Sequence, residues 1–319
     1  MSSKYVIVIP SSANYLPGLN ALLNGLDKYG NTADVKVIES EIPEDYKEKA
    51  RTVFNFNVEF IPILDLCGGE YGVDLNRESA FYRWVFSPYA LYMRIKNQYK
   101  VATLIGADMI VVNNIMPWFE VAEKTGMLVT VDNPYTMSSM QDIDERHLRL
   151  NGLLDTEPIS DACFMDLQLH EDVIKRTLEY SKITDENMRA FNSAVFNLKK
   201  FDRLLVLDSQ LWTAGIFYLF KVEKSMGANN RMSYYANRER MNAFHKKYWL
   251  DSVIYQALYD KVPGTWLYDN AMNNIKTFCD IYRELNTRHK LVWDYPQNEI
   301  FAKLKSGEVL LKYQKEQKV

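Results

Sequence analysis

The stretch Lys100-Val-Ala-Thr-Leu-Ile-Gly-Ala-Asp-Met-Ile-Val-Val-Asn-Asn-Ile115 sets two apolar runs end to end with a single acid, Asp108, between them. A run of this kind reads as a parallel strand buried on both faces, with its carboxyl end opening onto the crevice where open α/β sheets take their ligands. Asp108 is therefore a candidate site residue. A loop aspartate that hydrogen-bonds its own backbone has the same local signature, so the rest of the chain has to separate the two readings.

The surrounding pattern alternates strand and helix. Tyr5 to Ile9 predicts a strand, Pro10 to Asn14 a turn, and Leu16 to Tyr29 an amphipathic helix with leucines at 19, 22, 23 and 26, ended by Gly30. Val35 to Ile38 and Val58 to Leu64 predict further strands, with a helix from Glu44 to Arg51 between them. A long aromatic-rich helix from Arg77 to Tyr99 leads into the strand before Asp108, followed by a short helix from Pro117 to Lys124 and a strand from Met127 to Val131 that ends at Asp132. Arg203 to Leu207 returns to strand, Trp212 to Phe220 is a second apolar run opened by small residues, and Arg238 to Tyr259 predicts a helix. Alternation of this kind predicts an α/β fold with a mixed, mostly parallel sheet flanked by helices. Residues from about 141 to 200 are polar and helical in pattern, clearest at Glu171 to Tyr180 and Glu186 to Lys199, and read as a helical insertion over the sheet's edge.

The loop after the first strand, Ser11-Ser-Ala-Asn-Tyr15, is where such a fold would seat a nucleotide. The chain has neither Gly-x-Gly-x-x-Gly nor a Walker pattern, which argues against a dinucleotide fold or a P-loop enzyme. With 47% hydrophobic and 25% charged residues, composition excludes a disordered chain. A net charge of −3 gives no global attraction to nucleic acid or anionic lipid. Cys67, Cys163 and Cys279 lie far apart, with no zinc-knuckle or redox spacing, and read as buried thiols of a reducing compartment. Asp108 and Asp208 interrupt the two most apolar runs, so no membrane span is expected. Tyr5 to Ile9 is too short for a signal-peptide core. A cytoplasmic protein is the expectation.

Several separated segments, in order along residues 5 to 270, together resemble the retaining glycosyltransferases of family 8, the glycogenin and lipopolysaccharide galactosyltransferase group. They are Ser11 to Leu19, Ala80-Phe-Tyr-Arg83, Gly106-Ala-Asp108 with Asn114-Ile115, Trp212-Thr-Ala-Gly215, Leu250 to Leu258, and Trp266 to Asn270. The resemblance implies a GT-A fold, the Rossmann-like fold of nucleotide-diphospho-sugar transferases. Residues 1–225 would be the nucleotide-sugar-binding core, and 226–319 a C-terminal helical segment that completes the same domain on the acceptor side. It implies transfer of a hexosyl or pentosyl group, with retention, from a nucleotide sugar, UDP-linked first of all. The acceptor would be a hydroxyl of a glycan, protein, small molecule or modified nucleic acid such as DNA. Ser11, Asn14 and Tyr15 would meet the base or ribose, Arg83 the sugar or diphosphate, and Ala107, Asp108 and Thr213 the donor. Asp132, Asp251 and Ser252 would line the reacting sugar, and Asp108 with His289 would hold Mn²⁺ or Mg²⁺. Members of the family are often homodimers.

The departures point the other way. Gly106 stands where the first carboxylate of the Asp-x-Asp metal motif belongs, which removes one hard oxygen donor. Thr213 replaces an asparagine and Ser252 a glutamine, and neither His245 nor His289 lies in the family's Gly-Lys-Pro-Trp context. Arg83 or Lys100 could neutralise the diphosphate in place of a weakened metal site. These losses keep a second reading open, a GT-A domain that has lost catalysis and serves as a binding or scaffold protein.

Overall fold

The computed structural model describes residues 3–74, 76, 80–107, 109–111, 113–130, 163–185, 187–198, 204–207, 213–215, 254–256, 284–285, 288–289 and 291. Among them, ten strands form two sheets. The larger has the order β3-β2-β1-β4-β7-β6-β8, built from β1 (Tyr5–Ser12), β2 (Asp34–Ser40), β3 (Val58–Pro62), β4 (Val101–Leu104), β6 (Met127–Thr130), β7 (Phe164–Asp166) and β8 (Leu204–Leu207). All neighbours are parallel except β7, which is antiparallel to both β4 and β6. The smaller sheet has the order β5-β10-β9, from β5 (Met109–Val111), β9 (Thr213–Gly215) and β10 (Ile254–Gln256).

Burial on both faces explains the unbroken apolar reading of β1. Tyr5, Ile7 and Ile9 enter one core with helices α1 (Leu16–Lys28), α2 (Glu44–Val53) and α4 (Met116–Thr125). Val6 and Val8 enter a second core with α3 (Ala80–Ile95), α5 (Glu171–Tyr180) and α6 (Asn187–Asn197). The result is a helix–sheet–helix sandwich. Leu19, Leu22, Leu23 and Leu26 of α1 are all buried, and each contributes about 1.5–3 kcal/mol of apolar transfer free energy.

Three local expectations need correction. The predicted turn at Pro10 is strand, because β1 runs on to Ser12. Ile105 donates its N–H to the Val8 carbonyl on the β4 side, and residues two apart face the same neighbour. The N–H that Pro10 lacks would thus point to where β4 pairing has already stopped at Val8 and Leu104. Within the stretch expected to be an insertion over an edge, the described residues 163–185 and 187–198 belong to the body of the fold, since β7 lies inside the large sheet and α5 and α6 form part of its second core; residues 141–162 lie outside the described residues. Within the helix predicted from Arg238 to Tyr259, Ile254–Gln256 is strand β10, because it pairs with β5 and β9.

Pro88 sits inside α3, where it leaves the carbonyl four residues earlier without its helical N–H. The Ser87 hydroxyl donates to that carbonyl, on Trp84, at 3.2 Å. On the opposite face, Gly25 lets β5 approach α1. A Cβ built there would lie 2.5 Å from the Val111 carbonyl oxygen, a backbone atom that cannot step aside. Gly25→Ala is therefore expected to destabilise the fold by about 1–3 kcal/mol through overpacking, against a small gain from helix propensity. Urea unfolding should show the lower midpoint, and an unchanged midpoint would mean that β5 does not bear on α1 in this way.

Candidate active site

The strand order identifies where a ligand belongs before any residue is considered. From β1 the chain steps to β2 and β3 on one side and then returns to β4 on the other, so the order reverses between β1 and β4. In open α/β sheets the crevice outside the carboxyl ends at such a switch point is the ligand site. Two connections flank it here. After β1 come Ser12 and the single turn Ala13–Tyr15, which opens into α1. After β4 come Ile105, Gly106 and Ala107, with the Met109 N–H bonded to the Gly106 carbonyl at 3.0 Å.

The small sheet joins the second connection to two distant parts of the chain. Met109, the residue after Asp108, pairs with Gln256, which pairs with Gly215, and Val111 pairs with Ile254, which pairs with Thr213. Three of the segments that carried the family resemblance, around 108, 213 and 254, are thus hydrogen-bonded neighbours. Asn14 and Tyr15 lie in the turn after β1, with Tyr15 half-buried against the first core. Ser11 is only 3% exposed and its hydroxyl reaches the Ser12 carbonyl at 3.4 Å. Ser12 is the half-exposed hydroxyl at that strand end. Sequence reasoning passed over Ser12, although alternation from Ile9 turns Ser11 toward the α1 core and Ser12 away from it.

Arg83 lies in the first turn of α3. That helix runs back to the start of β4, so its first turn stands on the carboxyl side of the sheet. Arg83 acts there on Cys67, a half-buried thiol in the loop after β3. Burial pushes the thiol's pKa up, while Arg83 and Arg94 oppose the shift. The Cys67 loop closes through Gly68 N–H to Val73 O and Val73 N–H to Leu66 O, both 3.0 Å, and Gly68 and Gly69 take φ of 73° and 76°. Ala107 is buried. Asp108, Asp132, Asp251 and Ser252 lie outside the described residues.

His289 does not fit the metal role expected of it. Its N–H donates to Asn24 Oδ1 at 3.1 Å, its carbonyl accepts from Asn20 and Asn24, and its Nε2 lies 3.4 Å from Asp27 Oδ2. Asp27 is in the last turn of α1, at the end of that helix away from the β1 loop. Asn55, just ahead of β3, bonds the same carboxylate at 3.2 Å, which puts this cluster at the amino ends of the strands. Among the described residues no group of three His, Cys, Asp or Glu side chains is arranged to hold a metal ion.

The acid at the end of β2, which in dinucleotide folds grips a ribose, is already engaged. Glu39 is 6% exposed, accepts the Ile42 N–H at 3.2 Å through Oε2, and pairs with Lys47 at 2.6 Å through Oε1. Glu41, at φ 61°, makes the turn that brings Ile42 back.

No family model matches the sequence, and no curated protein is similar to it at the sequence level. Solved structures do match it. The apo bifunctional glycosyltransferase WbbM superposes with a TM-score of 0.59 at 12% identity over 95% of this chain and 52% of that one. This chain therefore spans about half the length of WbbM. An active-site mutant of LgtC gives 0.55 at 12% identity over 91% and 98% of the two chains, and mouse xyloside xylosyltransferase 1 gives 0.51 at 12% over 80% and 98%. The chain has the GT-A fold. In this GT-A chain the β1 and β4 connections flank the switch point, and the small sheet is joined to the second of them through β5. No helix among the described residues is long and apolar enough to cross a membrane.

Because Glu39 and Lys47 are both nearly buried, removing Lys47 leaves the Glu39 carboxylate without its opposite charge, with only the Ile42 N–H, among the described residues, to hold it. Lys47→Met should destabilise the protein by about 3 kcal/mol. Lys49→Met, which removes only an exposed pair with Asp45, should leave the thermal midpoint within experimental scatter. Equal effects of the two substitutions in calorimetry would show that Glu39 is not held as described.

Proposed function

We propose that this chain is a glycosyltransferase that moves a hexosyl or pentosyl group from a nucleotide sugar, UDP-linked first of all, to an acceptor hydroxyl. The observation that carries the reading is the convergence at the β1/β4 switch point of three segments that resemble a family 8 donor site, two of them brought there only by β9 and β10. The galactosyltransferase LgtC in complex with donor and acceptor sugar analogues matches at a TM-score of 0.53 and 11% identity, which supports the reading through the fold.

In this reading Ser11, Asn14 and Tyr15 form the base and ribose side, with the half-exposed Ser12 beside them. Ala107, Asp108 and Thr213 form the diphosphate and sugar side, and Asp132, Asp251 and Ser252 face the reacting sugar. The acceptor oxygen bonds to the anomeric carbon as that carbon's bond to the diphosphate oxygen breaks, and the acceptor proton leaves with the departing diphosphate or to solvent. Retention requires the acceptor to approach from the leaving-group side, or a carboxylate such as Asp251 to act on the opposite face. Arg83 and the N-terminus of α1 supply positive potential for the leaving diphosphate. A divalent ion would add Lewis-acid stabilisation. With Gly106 in the motif and His289 at the other end of α1, however, no step is assigned to it. Those two features also favour the second reading, a GT-A domain that has lost catalysis and acts as a binding or scaffold protein.

Thermal shift against nucleoside diphosphates and UDP-sugars, each with Mn²⁺, Mg²⁺ or EDTA, tests the proposal, because a ligand stabilises the state that binds it. One diphosphate should raise the midpoint selectively, and Arg83→Gln should remove most of that rise while leaving the ligand-free midpoint unchanged. No shift with any diphosphate would overturn the donor site. A shift without release of diphosphate from any nucleotide sugar would favour the non-catalytic reading.

A further inference from the structure

The first turn of α3 is tied to two other parts of the chain through consecutive residues. Tyr82, 1% exposed, joins Val6 and Val8 of β1 in the second core, and its ring lies 5.1 Å from that of Phe86. Its hydroxyl meets the Ser181 hydroxyl at 3.1 Å. Ser181 gives its one hydroxyl proton to the Leu178 carbonyl at 2.7 Å, so Tyr82 is the donor between the two hydroxyls. Ser181 is a well-fixed acceptor. It closes α5 with its N–H on the Thr177 carbonyl at 3.0 Å, and the N–H groups of Ile183 and Thr184 return to the Tyr180 carbonyl at 3.0 and 3.1 Å.

Arg83, the next residue, acts on the Cys67 thiol. The loop that carries this thiol is packed backbone on backbone, since a Cβ at Gly72 would lie 1.7 Å from the Gly68 carbonyl oxygen. Tyr71 of the same loop packs against the second core and carries Lys175 of α5 over its ring at 5.5 Å. Helix α5 thus braces both the Cys67 loop and the first turn of α3. With 3.6 residues per turn, a helical turn that rolls about its axis carries neighbouring residues with it, so whatever stops Tyr82 from rolling also stops Arg83. A phenylalanine at 82 would fill the same volume without that fixed point.

We propose that Tyr82 is a positioning residue of the transferase: its hydroxyl, fixed on Ser181, sets the rotation of the first turn of α3 and holds Arg83 on the carboxyl side of the sheet, preorganised for the leaving diphosphate. A cation held in advance needs no reorganisation when charge develops on the leaving group. The role of Arg83 toward a diphosphate rests on the proposed function; its orientation by Tyr82 does not.

Alkylation of Cys67 by iodoacetamide reads the position of Arg83 in the ligand-free full chain, because the thiolate is the reacting form and a nearby guanidinium favours it. Followed against pH by peptide mass spectrometry, the midpoint for Cys67 should move upward in Tyr82→Phe, in the same direction as in Arg83→Gln and by less. Ser181→Ala should give the same shift. Asn197→Ala, which loosens α6 from α5 by removing a 2.6 Å bond to the Tyr180 hydroxyl, should give none. Nucleoside diphosphate affinity should fall about threefold or more in Tyr82→Phe, the scale of one net hydrogen bond. Adding Tyr82→Phe to Arg83→Gln should lower it no further, since the two residues act through one contact. An unmoved Cys67 profile in Tyr82→Phe, an equal shift in Asn197→Ala, or full additivity of the two substitutions would overturn the proposal. If the wild type binds no nucleoside diphosphate, the donor-site reading fails while the Cys67 profile still decides whether Tyr82 orients Arg83.

Discussion

Enclosure of α1 organises the molecule. Leu16 and every residue from Gly18 to Asp27 are buried, which an ordinary helix on the face of a sheet does not achieve. Its leucines meet β1 and β2, Gly25 receives the β5 backbone, and its asparagines and Asp27 are covered by Arg288 and His289. Each face is served by a different chemistry, dispersion on one, close backbone approach on another, and amide and charge pairing on the third. The same helix starts at the donor loop, so the packing that fixes its axis also fixes the loop.

The consequence for function is that the candidate site is assembled from far-separated pieces held by backbone pairing. The turn after β4 feeds β5, and β5 recruits β10 and through it β9. Such a sheet holds the residues that flank it to a fixed register, since a slip of one residue would reverse every side chain. A site that must place a sugar, a diphosphate and an acceptor within bonding range of one carbon needs that fixity.

Strand and helix alternation was legible over the first 130 residues because both cores give strong periodic signals there. β1 and β2 read as apolar runs and α1 as a leucine stripe closed by Gly30, which takes φ 76°. What was hidden depends on tertiary partners. β7 is three residues long, and nothing in Phe164-Met-Asp166 marks it as the one antiparallel member of a parallel sheet. β10 lies in a stretch of helical periodicity and is strand only through its pairing. Asn20, Asn24 and Asp27 look like the wet face of an amphipathic helix, and only contact with residues more than 260 positions away shows otherwise. The same contact explains why His289, a reasonable metal ligand by type, is committed elsewhere. For the site, the order of segments was readable and their convergence was not, because convergence is a property of β9 and β10.

The central claim is that a nucleoside diphosphate enters the crevice between the β1 and β4 connections. Chemical crosslinking with a photoactivatable nucleoside diphosphate, followed by peptide mapping, tests it most directly. Labelling confined to residues 11–16 and 104–109, and competed by unmodified nucleotide, is the predicted result. Competed labelling at the amino ends of the strands, around Asn55 or Asp27, would contradict it.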